Sequence, residues 1–264
     1  MLKLLNDDTY FQARRQLENN QFGAVIGSLY KAYGNSCDYC VCLCQKSDDG
    51  RITALISVFM GSMTLYCETD ADFEELRLYI KSASPFEILS DLKTIEMSGL
   101  KIQSTGSIME LDTNAELSLS SSKAGECKAA IVPADYRELS GLYDIIFESQ
   151  AKSPEHFRIW YAHASHMIRH GFIRAAAVKN KDGTPVACAF TQCENSVLSV
   201  TTSVAVKEKH RRQGLGSVAV GFLANKLRKE GKKVYLFSKD ENTDKFYLNN
   251  GFFVCGNWAK AVIQ

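Results

Sequence analysis

The chain has 264 residues, enough for one large domain or two ordinary ones, and its 31 Lys plus Arg against 30 Asp plus Glu leave a net charge of +1. That balance excludes a uniformly basic nucleic-acid binder and an acidic solvating tail, and 45% hydrophobic against 23% charged residues exclude disorder of the whole chain. No segment approaches the roughly 18 uninterrupted apolar residues of a membrane span. The best run, Ala54 to Tyr66, is broken by Ser57, Gly61 and Ser62. The N-terminus turns acidic at Asp7 and Asp8, too early for a signal-peptide core, and the nine cysteines make an odd count. Reduced thiols in a cytoplasmic protein are the economical reading.

In chain order, the spacing predicts helices over Asp7–Asn19 and Phe22–Tyr33. A hairpin follows, from Tyr39–Lys46 and Arg51–Phe59 about the turn Ser47-Asp-Asp-Gly50. A strand at Ser62–Cys67 leads to an acid-started helix at Asp72–Lys81, and Leu100–Leu111 reads as a closing strand or pair. Residues 113–126, with Ser118, Ser120, Ser121, Ser122 and Gly125, read as a linker between 1–112 and 127–264. The second half predicts a strand at Ala130–Val132 and helices at Asp135–Glu148 and from Pro154 to His170. Strands follow at Phe172–Lys179, Pro185–Cys193 and Val197–Val206, then a helix from Gly214 to about Glu230. A buried-type strand at Val234–Ser238, a short helix at Thr243–Asn250, and strands at Phe252–Gly256 and Ala259–Ile263 end the chain. Helix, helix, meander, helix, strand in both halves suggests an internal duplication.

The informative stretch is Val204-Ala-Val-Lys-Glu-Lys-His-Arg211-Arg-Gln-Gly214-Leu-Gly216-Ser217, where a strand ends, a basic loop follows and two glycines open an amphipathic helix. The first-turn N–H groups of a helix lack internal partners and carry the positive end of the macrodipole, so such a place holds anions. From Lys207 to Lys233 there are nine Lys or Arg against Glu208 and Glu230, a local +7 that points to a polyanionic ligand. Gly214-Leu-Gly216-Ser-Val-Ala219 also fits the dinucleotide fingerprint G-x-G-x-x-A. Seven residues separate Val206 from Gly214, however, and the preceding antiparallel-looking strands do not build a doubly wound sheet.

Arg211-x-x-Gly214-x-Gly216, between a Val-x-Val strand and an amphipathic helix, resembles motif A of the GNAT acetyltransferase superfamily. Tyr247-Leu-Asn-Asn-Gly251-Phe252 is similar to that superfamily's Tyr-x-x-x-Gly-Phe ending. The resemblance covers about Cys127 to Gln264. It implies tandem GNAT-like domains of the α/β (α+β) class, each a mixed, mainly antiparallel sheet flanked by helices. The first would be degenerate, since no Gly-rich turn lies between Cys67 and Asp72. It further implies acetyl-CoA as co-substrate, its pantetheine arm against the backbone of Val204, Ala205 and Val206. The pyrophosphate would rest on Arg212, Gln213, Gly214, Leu215, Gly216 and Ser217, with the Arg211 and Arg212 side chains near it. Tyr247 would protonate the leaving thiolate, and Asn242, five residues before it, takes the place of the family's cofactor-contacting asparagine.

Two departures from the family stand out. Glu208 occupies a place where proline is common, and Val197–Val206 holds no Asp or Glu where many members keep a general base. Glu194, a water held by Thr201, Thr202 or Ser203, and an already neutral acceptor are the alternatives. Cys37, Cys40, Cys42 and Cys44 read as core residues, and His163, His166 and His170 as solvated or acceptor-pocket histidines, the pocket walled by Phe157, Trp160 and Tyr161, with no metal. The implied activity is transfer of an acetyl group to the amine of a small molecule or amino acid, by direct attack. An amino acid acceptor also fits a resemblance to glycine N-acyltransferase-type enzymes. A non-catalytic acyl-CoA-binding module is the alternative. The expected partners are the amine acceptor and, at most, a second copy of the chain, with no nucleic acid and no membrane.

Overall fold

A computed structural model describes residues 1–117, 127–133 and 135–263. The chain begins with β1 (Leu2–Leu4), α1 (Asp7–Gln12), α2 (Arg14–Asn19) and α3 (Gln21–Tyr33), then the meander β2 (Cys40–Lys46), β3 (Ile52–Phe59) and β4 (Ser62–Cys67). α4 (Phe73–Ala83), β5 (Glu87–Asp91), α5 (Leu92–Ser98) and β6 (Lys101–Leu111) follow. Next come β7 (Lys128–Val132), α6 (Tyr136–Ile146), α7 (Pro154–Arg169), β8 (Ala175–Lys179), β9 (Pro185–Glu194) and β10 (Leu198–Val206). A 3-10 turn (Glu208–His210), α8 (Leu215–Lys229), β11 (Lys233–Ser238), α9 (Glu241–Leu248) and β12 (Phe252–Val262) complete the order.

These elements form two compact units, and the division is not a single cut in the sequence. The first gathers Met1–Met109, Phe237–Asp244 and the residues from Val254 on; the second takes the described residues of Glu110–Leu236 with Lys245–Phe253. The reason is β12, which pairs antiparallel with β5 from Trp258 opposite Asp91 to Ala261 opposite Ile88. Residues 113–117 of the expected linker are described, and the rest of it lies outside the described residues.

In the first unit the strand order is β1-β2-β3-β4-β5-β12-β6, with β1 to β4 antiparallel in sequence and β4·β5 parallel. Leu43, Ile56, Leu65, Leu76, Ile80, Ile88 and Ala259 form a buried cluster on it. Ordinary capping chemistry starts its helices. Asn20 accepts from the Phe22 and Gly23 N–H groups at the head of α3, and Asp72 from those of Glu74 and Glu75 at the head of α4. The helix expected over Asp7–Asn19 is two helices, bent at Ala13 (φ −84°, ψ 4°). β5 and α5 are absent from the sequence reading because β5 has five residues and turns Ser90, a polar residue, into the core.

In the second unit the order is β11-β10-β9-β8-β7, antiparallel except for the parallel pair β10·β11. Leu139, Leu142, Ile145, Ala164, Ala175, Ala177 and Phe190 form its buried cluster. Asp135 caps α6, and Ser153 with Pro154 in the first turn starts α7. Each unit is thus a mixed, mainly antiparallel sheet flanked by helices, and each runs helices, three-strand meander, helix, parallel strand.

Backbone approach in the first unit is as close at Gly106 of β6 as at Gly23 of α3. A Cβ on Gly106 would sit 2.1 Å from the Ser238 carbonyl oxygen and 2.6 Å from the Trp258 ring, whose Nε1 already donates to that oxygen at 2.8 Å. Gly106→Ala is expected to cost about 3 kcal/mol through this overpacking. A thermal-unfolding midpoint unchanged from wild type would show that the strand shifts freely.

Candidate active site

The site grows from the way β10 ends. Its register with β11 runs from Leu198 opposite Lys233 to Thr201 opposite Leu236, and there the parallel pairing stops, while β10 continues to Val206. Burial changes at the same place: Leu198 to Thr201 are buried and the next five residues are half-exposed. On its other edge β10 keeps pairing with β9, but one extra residue is accommodated between Thr202 and Ala205. Ser203 takes up this bulge in a left-handed conformation, φ 50°. Val204, Ala205 and Val206 therefore present backbone on an edge that β11 does not cover.

Beyond Val206 the chain tightens into a one-turn 3-10 segment and enters α8. Arg212 (φ 62°) and Gly214 (φ 77°) are both left-handed, and Gly214 is the N-cap of α8 without any side-chain cap. The first-turn N–H groups are thus left open at a helix that keeps its basic residues, Lys226, Arg228 and Lys229, in its last turn. Leu215 and Gly216 are buried, Gln213 and Ser217 half-buried, and Arg211 and Arg212 exposed. A Cβ on Gly216 would lie 3.4 Å from Phe246, so α9 reaches the start of α8 at this glycine.

One residue that the sequence does not single out holds the loop. Glu148, just past α6, accepts the Glu208 N–H at 2.7 Å through Oε2 and faces Arg211 Nη2 at 3.6 Å. Arg211 in turn donates from Nε to the Val206 carbonyl at 3.2 Å. A proline at 208 would have no N–H to give; here the glutamate's amide supplies an anchor of another kind. The Arg211–Glu148 pair is half-exposed and contributes little, so the guanidinium stays available.

Tyr247 is buried, edge-on to Phe246 and Phe252 with ring centroids at 5.0 and 5.7 Å. Burial pushes its hydroxyl up to about 12, so it is a neutral proton donor at ordinary pH, and among the described residues that hydroxyl has no hydrogen-bond partner. Asn242 shares α9 but is exposed and belongs to the first unit, about 140° around the helix from Tyr247. The structure does not bring the two to one face.

The carboxylate alternative to a strand base is engaged elsewhere. Glu194 is buried and bound by Arg174 Nη2 at 2.7 Å, Lys232 Nζ at 2.8 Å and Thr191 Oγ1 at 2.9 Å. Arg174 also pairs with Glu230, which holds the Glu230 carboxyl down at about 2. Such a network fixes the end of β9 and leaves no lone pair for an acceptor amine. Thr201 is buried with its hydroxyl unpartnered.

On the helical side, Tyr143 Oη and His156 Nδ1 are 2.8 Å apart amid Phe147, Phe157 and Trp160, and Trp160 packs edge-on to Phe190 at 6.0 Å. Phe157 and Tyr161 stack at 5.9 Å. Burial and the neighbouring His166 push His163 down to about 4. Among the described residues no group of three or more His, Cys, Asp or Glu is placed to hold a metal, and all nine cysteines are free. Cys40, Cys42 and Cys44 are fully buried. No described helix is long and apolar enough to cross a membrane.

In the first unit the helix start at the same place in the topology is closed by its own side chains. At the head of α4 the Asp72 carboxylate takes two first-turn N–H groups, the Asp72 N–H goes to Gln45 Oε1 at 2.8 Å, and Glu74 and Glu75 add negative charge. The gap beyond the β4·β5 pairing is bridged by the buried Ser90 hydroxyl, which donates to the Leu65 carbonyl at 2.9 Å.

The family model of the acetyltransferase (GNAT) domain matches residues 158–253. No curated protein matches the chain in sequence. A tandem GNAT protein from the clavulanic acid biosynthesis pathway has a TM-score of 0.63 at 13% identity, covering 98% of this chain and 97% of its own. A GCN5-related N-acetyltransferase from Sphaerobacter thermophilus has a TM-score of 0.61 at 11% identity, covering 98% and 94%. One from Kribbella flavida has 0.61 at 16%, covering 80% and 86%. At these identities the structures speak for the fold, and the match at 158–253 speaks for the domain that contains the loop, α8 and Tyr247. Residues 158–253 thus match the acetyltransferase (GNAT) domain, and the chain as a whole shares the fold of a tandem GNAT protein.

Proposed function

We propose that the second unit binds acetyl-CoA and transfers its acetyl group to the amine of a small molecule or amino acid. The observation that carries this reading is the open start of α8: a left-handed Gly214, no capping side chain, and a basic surround in an otherwise neutral chain. The N–H groups from Arg212 to Ser217 would take the pyrophosphate, with the exposed Arg211 and Arg212 side chains beside it. The uncovered edge of Val204, Ala205 and Val206 offers backbone groups to the pantetheine arm as an added strand would use them. The same bulged edge can set an N–H against the oxygen that becomes negative when an amine attacks the thioester. Tyr247, neutral and without an internal partner, would give its proton to the departing thiolate.

The engagement of Glu194 and the lack of a carboxylate in β10 favour an acceptor that arrives as the free amine or loses its proton to water. The same two observations support the second reading, a module that binds acyl-CoA without turnover. Turnover across a panel of amines separates the readings, since binding of coenzyme A with no transfer to any amine leaves only the module.

Three outcomes are expected. Gly214→Val, which both strains a left-handed position and puts a side chain over the N–H groups, should lower acetyl-CoA affinity by about 100-fold or more, roughly 2.7 kcal/mol, by calorimetry. Undiminished affinity would remove the loop from the binding site. Tyr247→Phe should lower kcat by about 100-fold with KM for acetyl-CoA unchanged; an equal rate would exclude the phenol as acid. Glu148→Ala should weaken acetyl-CoA binding about tenfold by releasing the Glu208 amide, whereas Glu148→Gln, which keeps the acceptor, should stay near wild type. Equal losses in both variants would mean that charge, not loop anchoring, is what Glu148 contributes.

A further inference from the structure

We propose that the first unit carries a binding site for a small zwitterion with the charge pattern of an α-amino acid, in a cavity beside the end of β4. The cavity holds about 400 Å³ and is lined by Arg15, Gln16 and Asn19 of α2, Asn20 at the head of α3, and Tyr66 and Glu68. That is within the range of small-molecule sites. Each of its six lining residues carries a polar or charged group, and three of these groups are left with capacity that the fold does not use.

Arg15 and Glu68 face one cavity with opposite charges yet make no ion pair with each other. Among the described residues the Arg15 guanidinium has no hydrogen-bond or ion-pair partner. Its neighbour Arg14, one residue earlier, is engaged by Glu18 at 2.9 Å, so ion pairing is the local habit and Arg15 departs from it. Glu68 accepts from the Tyr66 hydroxyl at 2.5 Å through Oε1, which fixes the carboxylate and leaves Oε2 open. The third group is Gln16 Oε1, buried without a partner. Buried acceptors are nearly always satisfied, so this one would gain a donor if the side chain turned toward a ligand in the cavity. Asn20 is fixed too, its Oδ1 taken by the Phe22 and Gly23 N–H groups, which leaves its amide NH₂ to donate.

These requirements describe one ligand class. A carboxylate suits the two-pronged guanidinium of Arg15. An ammonium, with three donors, suits Glu68 Oε2 and Gln16 Oε1 together. One cation and one anion in the wall match a ligand of net zero charge and disfavour nucleotides and other polyanions, which Glu68 repels. The site is therefore independent of the acyl-CoA reading, and either can fail without the other.

The test uses the full chain. Thermal unfolding is measured against each proteinogenic L-amino acid at about 10 mM, a level that stabilises by roughly 2.7 kcal/mol for a ligand whose Kd is a hundredfold lower. The best ligand is then titrated by calorimetry beside its N-acetyl derivative and its methyl ester. At least one amino acid should bind, and each derivative should bind about tenfold more weakly or less. Arg15→Met and Glu68→Gln should each weaken the amino acid about tenfold or more, while the unfolding midpoint without ligand stays at the wild-type level and reports an intact fold. The proposal is overturned if no amino acid shifts unfolding, if the N-acetyl derivative binds as well as its parent, or if binding survives in both variants. The last outcome would place the amino acid elsewhere, at the acceptor side of the second unit.

Discussion

A strand that leaves its parallel neighbour part-way must find other uses for its backbone groups, and in the second unit this constraint organises everything else. β10 parts from β11 after Thr201, keeps β9 on its other edge by means of the Ser203 bulge, and so presents Val204 to Val206 unshared. The same divergence puts the following loop where it needs fastening, which Glu148 and the Val206 carbonyl supply. It also leaves α8 to start on a glycine instead of a capping side chain. Binding capacity here consists of hydrogen-bonding groups that the fold declines to satisfy, held in place by side chains that it does satisfy.

The first unit solves the same topological problem in the opposite way. Its parallel pair also ends early, at Thr64 opposite Leu89, but Ser90 spans the gap and Asp72 and Gln45 occupy the helix start. No bulky obstruction is needed to close a helix start to anions. An aspartate at the cap and two glutamates in the first turn reverse its electrostatics, because the charge they bring outweighs the half-charge of the helix dipole. What the unit leaves open instead is a mixed-charge cavity at the side of β4.

Much of this was legible in the residues. Alternation marked the β2–β3 hairpin and the β8–β9–β10 meander, and the glycine pair with its basic neighbours marked the loop before α8. Periodicity failed where elements are short or polar inside: β5 buries Ser90, and β1 has three residues. The role of Glu148 was invisible, because its partners lie 60 residues on and nothing in a helix-end glutamate announces a contact so distant in sequence. Glu194 stood as one of three alternatives for a related reason. A carboxylate near a strand end reads as a base until Arg174 and Lys232 are seen to claim it. Asn242 and Tyr247 lie close in sequence, but five residues on a helix separate two side chains more surely than they join them.

The pairing of β12 with β5 has a consequence for how the protein is made. The first unit's sheet contains a strand encoded after the whole of the second unit, so it cannot reach its final form while the ribosome is still adding those residues. Domains usually fold in order of synthesis. Here the order is enforced differently: the first unit waits, with the edge of β5 uncovered, until residues 254–262 emerge. A fragment beginning near Cys127 inherits the reverse problem, carrying β12 without the strand it was built to join. The length of that interval is set by translation speed.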